Sequence, residues 1–117
     1  MIRISLRVEL APGARIGPGK VALLEQVAST GSISAAGRAL GMSYRRAWLL
    51  VDELNRLFAA PVVTTQLGGS HGGGASLTPL GNDLVSRFRR LEREAESLAA
   101  VHLGPLAAAA RPAAEDE

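Results

Sequence analysis

A chain of 117 residues with a formal net charge of +2 and no cysteine is long enough for one domain with its own core, and it excludes disulfides and cysteine-ligated zinc. Its two histidines, His71 and His102, are too far apart in sequence to suggest a metal site, and no apolar run approaches the roughly 20 residues a membrane helix needs, so a cytoplasmic protein with no resident cofactor and no membrane contact is expected. The charge is uneven: residues 1–90 carry a net +6 and residues 91–117 a net −4, a basic body with an acidic end, as nucleic-acid binders often have.

The start alternates cleanly, with Ile2, Ile4, Leu6, Val8 and Leu10 facing one way and Arg3, Ser5, Arg7 and Glu9 the other. This predicts a half-buried strand rather than the continuous apolar stretch of a secretion signal. APGARIGPG reads as a loop. A first helix is predicted from about Gly19 to Thr30, with Pro18 opening it, Val21, Leu24, Val27 and Ala28 as its stripe, and Gly31 stopping it. Ser32 or Ser34 can cap a second helix that ends at Gly41, and Ser43 can cap a third. On the third, Ala47, Leu50, Val51, Leu54, Leu57 and Phe58 share a face, Arg45, Leu49, Asp52 and Arg56 point away, and Pro61 ends the helix. VVTTQ and ASLT, joined by a glycine-rich tip, predict a β-hairpin. Thr78 and Pro79 open a last long helix to about His102, which Gly104-Pro105 should end, leaving a frayed tail.

The fold class expected is mostly α with a small β-hairpin wing. It divides into a winged helix-turn-helix over 1–78, a dimerisation helix over 79–103 and a disordered tail over 104–117. Small residues Ala35, Ala36 and Gly37 suit a close helix crossing, and Gly41 suits the tight turn. Arg45 and Arg46 then fall at the front of the second helix of the motif, the part that meets base edges in a major groove. An isolated arginine pair is usually solvated surface charge; its place after the turn makes it a candidate guanine or phosphate contact. Tyr44 can donate to phosphate. Ser32, Ser34 and Ser43 are caps that can also offer hydroxyls and backbone N–H groups to phosphates, and Arg38 is a candidate phosphate contact. Trp48, at the boundary between faces, is expected in the core.

The loop GGSHGGG lacks the Lys-Ser/Thr of a nucleotide-phosphate loop and joins two strands. Gly69, Ser70, His71 and Gly72 therefore read as a wing tip able to approach a minor groove or phosphates, with the His71 ring an exposed bystander. In the last helix Leu84, Phe88, Leu91, Ala95 and Leu98 recur at spacings of four and three, a short heptad seam for a second copy. Leu80 and Leu84 can face inward while Leu91 to Leu98 meet the partner. No catalytic constellation is present, so no enzyme is expected.

Ser32 to Trp48 (SISAAGRALGMSYRRAW), the glycine-rich Gly68 to Gly74 and LTPLG (Leu77 to Gly81) together resemble the N-terminal DNA-binding domain of the ModE molybdate-responsive regulators, and more distantly the LysR-type helix-turn-helix. The resemblance runs from about Val8 to Leu98. It implies a winged helix, a homodimer built by the terminal helix and the N-terminal region, and a palindromic operator in double-stranded DNA. By position it carries DNA contact to Ser32, Ser34, Ser43, Tyr44, Arg45, Arg46 and the wing. The sequence departs from the family at Ser70 and His71, where a basic residue is expected, and at Arg46, where a smaller one is familiar. The C-terminal molybdate-binding domains are expected to be lacking. Two other functions stay open: binding of molybdate or another oxyanion at helix N-termini, and a protein-interaction module.

Overall fold

The computed structural model describes residues 2–66 and 74–113. In chain order the elements are β1 (Val8–Ala11), β2 (Ala14–Ile16), α1 (Pro18–Thr30), α2 (Ile33–Ala39), α3 (Tyr44–Asn55), β3 (Val63–Gln66), β4 (Gly74–Leu77) and α4 (Pro79–Ala109). Three short helices, a hairpin and a long terminal helix make a winged helix-turn-helix. No helix among the described residues is long and apolar enough to cross a membrane.

The caps fall where the sequence puts them. Gly31 closes α1 at φ +72 and its N–H returns to the Val27 carbonyl. Ser32, not Ser34, caps α2 by accepting from the Ala35 N–H; Ser34 lies inside the helix and accepts instead from Arg38. Gly41, at φ +70, makes the turn into α3, where a side chain would be strained. A Cβ on Gly37 would come within 2.8 Å of the Ala47 Cβ, so the two helices of the motif cross too closely for a side chain at that position.

The main core lies between these helices and the β3–β4 hairpin. Leu23, Leu24, Val27, Ala47, Leu54 and Val62 are its centre. Leu23 belongs to the α1 stripe, while Ala28, expected there, is exposed. A second cluster joins Ile16, Val21 and Phe88, with Leu6 and Val8 laid against it. β3 and β4 pair antiparallel from Val63 opposite Leu77 to Gln66 opposite Gly74. Thr78 caps α4 by accepting from the Gly81 N–H, and its own hydroxyl donates to the Pro61 carbonyl.

Three expectations are corrected. The opening strand is short: only Val8–Ala11 pairs, and residues 2–7 form no ladder. β2 is three residues long before Gly17-Pro18 turns into α1, so no partner edge reaches them. Their alternation survives because extended chain keeps the period of two: Ile2, Ile4 and Leu6 are half-buried and Arg3, Ser5 and Arg7 exposed. The stretch APGARIGPG is not all loop, because Pro12-Gly13 forms a turn with Gly13 at φ +81 that pairs Glu9 with Arg15. The Glu9 carboxylate fastens it by accepting from the Gly13 N–H and from Arg15 Nε. Finally, α4 continues through Gly104 and Pro105 to Ala109, so 104–109 are not frayed tail. Proline removes one helical hydrogen bond, and the leucine and alanines after it restore favourable helix propensity.

Candidate nucleic-acid interface

Side chains on a helix advance about 100° per residue, and this sorts α3 into sectors. Ala47, Val51 and Leu54 are buried in the core. On the opposite side Arg45, Leu49, Asp52 and Arg56 point straight out and are exposed. Tyr44 and Trp48 occupy one flank, toward the hairpin. Arg46 and Leu50 occupy the other, toward the start of α1. Arg45 and Arg46 are neighbours in sequence but serve different sides of the helix.

Ser43 fixes the exposed end of α3, its hydroxyl accepting from the Arg46 N–H at 3.1 Å. On the hairpin flank the rings of Tyr44 and Trp48 meet edge to face at 6.2 Å and 65°. They line a basin with Ser32, Ser34, Thr65 and Gln66, so the front of α2, the front of α3 and the hairpin converge there. Trp48 is 39 % exposed, against the expectation that it fills the core. One step round the helix from Ala47, it turns past the core and lies along Tyr44. On the other flank Arg46 lines a second basin with Met42, Leu50 and Lys20.

The hairpin is held to α3 by a side chain the sequence reading passed over. Asn55, the last residue of α3, accepts from the backbone N–H groups of Val62 (2.9 Å) and Val63 (3.0 Å) and donates to the Val63 carbonyl (3.1 Å). The β4 end is tied to the α1–α2 turn by the Ala75 N–H donating to the Gly31 carbonyl at 2.9 Å. Asparagine inside a helix is a weak helix former, and its position seven residues before a buried valine pair was the available signal. Gly69, Ser70, His71 and Gly72 lie outside the described residues.

Charge is partitioned across the molecule. Arg56, Arg87 and Arg90 pair with Asp52, Asp83 and Glu94 one helical turn away. Arg89 grips Glu25 of α1 with two nitrogens and Glu92 with a third. Those hydrogen bonds, first the one to Glu25, hold its guanidinium still further above its already high pKa. Arg38, Arg45 and Arg46, all exposed on the helix-turn-helix, have no carboxylate partner among the described residues.

Of the heptad residues, Phe88 is 3 % exposed and belongs to the molecule's own second cluster, with Leu84 packed against it. This corrects the assignment of Phe88 to a partner surface and leaves Leu84 in its inward reading, because the β1–β2 hairpin and α1 already cover that face of α4. Ala95 is half-buried, and Leu91 and Leu98 are 44 % and 62 % exposed.

The helices and hairpin just described are the part of the chain that known proteins share. The family model for bacterial regulatory helix-turn-helix proteins of the lysR family matches residues 19–82, from the start of α1 into the first turn of α4. The chain belongs to the LysR family of bacterial regulatory helix-turn-helix proteins. It is 52 % identical over 80 residues to the molybdenum-pterin-binding protein MopB of Rhodobacter capsulatus, covering 68 % of this chain and 30 % of that protein. It is 40 % identical over 88 residues to MopA of the same organism, covering 75 % and 33 %. It is 35 % identical over 85 residues to the DNA-binding transcriptional dual regulator ModE of Escherichia coli, covering 73 % and 32 %. The LysR-type and ModE-type resemblances read from Ser32–Trp48, the glycine-rich segment and Leu77–Gly81 are thereby borne out, and the family is one of regulators. The chain spans about a third of the length of these relatives.

Proposed function

We propose that this chain is a sequence-specific DNA-binding module of a cytoplasmic transcription regulator, acting on a palindromic operator as a homodimer. The observation that carries the reading is the front of α3. There Arg45 stands straight out of the helix, uncompensated by any carboxylate among the described residues, with Ser43 holding the helix end behind it. A helix presented in this way enters a major groove with its first turn leading, and a guanidinium there reaches guanine O6 and N7 together. The regulator ModE of E. coli shares this segment and is named for DNA binding, which supports the same role here.

A two-fold operator requires two copies, and the outer part of α4 suits the contact. Leu91, Leu98 and Val101 stand 44 %, 62 % and 74 % exposed, apolar side chains that a second copy could cover. The 1–78, 79–103 division is part of this proposal, amended by the helix running on to Ala109. The molybdenum in the names of MopA and MopB is a property of those proteins.

The test is fluorescence anisotropy on a duplex selected from random sequence. Arg45→Ala should lose about 5- to 150-fold in affinity for the selected site, the equivalent of about 1–3 kcal/mol for one bidentate base contact, and little for unrelated duplex. Equal affinity of the two proteins for the selected site removes Arg45 from base reading.

A further inference from the structure

The flank of α3 away from the hairpin opens on a basic basin. Arg7 from the leading segment, Arg15 from β2, Lys20 from α1 and Arg46 from α3 line a space of about 360 Å³, and no acidic side chain lines it. Arg15 and Lys20 are partly answered from outside by Glu9 and Glu53. Arg7 and Arg46 have no carboxylate partner among the described residues. The Arg7 stem passes beside Gly17, where a built Cβ would stand 3.6 Å from its Cγ, so the side chain lies next to the start of α1. The first turn of α1 contains no acid that would offset the cluster. Two cations from separate segments, Arg7 and Arg46, thus line one basin with no carboxylate to offset them, an arrangement that an anion would stabilise.

The position of the basin says which anion. Arg46 follows Arg45 directly, and Met42 of the helix-turn-helix turn forms part of the wall. A helix seated in a major groove about 12 Å wide has a phosphate strand on either side of it. On the Tyr44 and Trp48 side that strand meets the hairpin. On the Arg46 side it meets this basin. We infer that Arg7 and Arg46 form a second backbone-phosphate site, clamping the DNA strand opposite the wing, with Arg15 and Lys20 at its edge. The inference rests on the DNA-binding reading above and adds to it a contact from the segment before β1, outside the helix-turn-helix itself. Of the two contacts open to Arg46, base edge or phosphate, it takes the phosphate. Contacts of this kind set affinity and register but not sequence preference.

The experiment measures binding to a fluorescein-labelled 40-base-pair duplex of random sequence between 50 and 200 mM salt. Each phosphate contact contributes about 0.9 to the slope of log K against log salt. Arg7→Gln should lower that slope by about one and weaken binding several-fold at 50 mM salt, equally on any sequence. Arg7→Lys should retain the slope. Arg93→Gln, which removes an exposed cation from α4, should leave the slope unchanged. A wild-type slope in Arg7→Gln overturns the inference, and so does an equal fall in Arg93→Gln, which would mark a bulk-charge effect. Calorimetry with inorganic phosphate that shows binding abolished by Arg7→Gln, while the DNA slope stays put, overturns it in favour of a small-ion pocket. If wild-type protein binds no duplex at 50 mM salt, the DNA-binding reading itself fails; if it binds and only Arg45→Ala is impaired, this site alone fails.

Discussion

Asn55 offers a prediction whose sign separates two accounts of the same residue. If it were only a polar residue at the end of α3, Asn55→Ala would leave stability unchanged or raise it by up to about 0.7 kcal/mol, because alanine is the better helix former. The geometry requires the opposite. The side-chain oxygen answers two backbone N–H groups and the nitrogen answers one carbonyl, all at Val62 and Val63. Val62 is fully buried and Val63 3 % exposed, so water does not readily replace the lost partners. A buried donor left without a partner costs about 1–3 kcal/mol. Taking the lower part of that range for each of the two N–H groups, because Asn55 is only half-buried, the loss is about 2–4 kcal/mol. For a domain of this size it corresponds to a fall in Tm of about 8–16 °C. Thermal melting followed by circular dichroism at 222 nm measures it directly. Asn55→Asp, which keeps the acceptors and loses the donor, should fall between wild type and Asn55→Ala. A Tm for Asn55→Ala at or above wild type would refute the reasoning, and with it the view that this side chain sets the hairpin against α3.

Gly81→Ala should destabilise by more than an ordinary helix substitution, because its Cβ would overlap the Val62 carbonyl oxygen, which is backbone and cannot turn away; urea unfolding should show a loss of at least about 1–3 kcal/mol. Ser43→Ala should cost about 1 kcal/mol through loss of the cap to Arg46, whereas Ser43→Asp should keep the stability but weaken DNA binding, since a carboxylate then stands where phosphate approaches. Leu98→Glu should shift the protein from dimer to monomer in sedimentation equilibrium without lowering its helix content, because Leu98 is 62 % exposed and touches neither core cluster; an unchanged dimer removes α4 from that role.

The helix-turn-helix was legible because its determinants are local. Gly31, Ser32, Gly41, Ser43 and Thr78 each act on a hydrogen bond or dihedral within a few residues, and each is recognisable by type. What escaped the sequence depends on distant partners. The edge of β1 was misjudged because alternation signals extended chain, not whether a neighbouring strand is long enough to pair with it. Asn55 was missed because its partners lie seven and eight residues away across the turn at Pro61. Trp48, at the boundary between faces, is expected in the core because an indole supplies much buried area, yet its helix phase faces the hairpin rim. The heptad of α4 is apolar and Leu84 can be read as inward, but periodicity does not reveal that α1 and the first hairpin extend their cover to Phe88.

The pairing of charges on α3 limits how the helix can meet DNA. Asp52 and Glu53 lie on its last two turns, and a carboxylate brought against phosphate is repelled at short range. Asp52 binds Arg56 at 3.0 Å and Glu53 approaches Lys20 at 3.4 Å, so the cations of that end are engaged in neutralising its acids. The first turn has the reverse character: Arg45 and Arg46 without acids and a serine cap behind them. Along an axis of about 18 Å, α3 therefore changes from attractive to neutral. A helix lying flat in the groove would present both ends to the backbone; one entering nose first presents only the basic end. The charge order favours the second orientation, in which Tyr44 and Trp48 face the strand under the hairpin and Arg46 faces the strand over the basic basin.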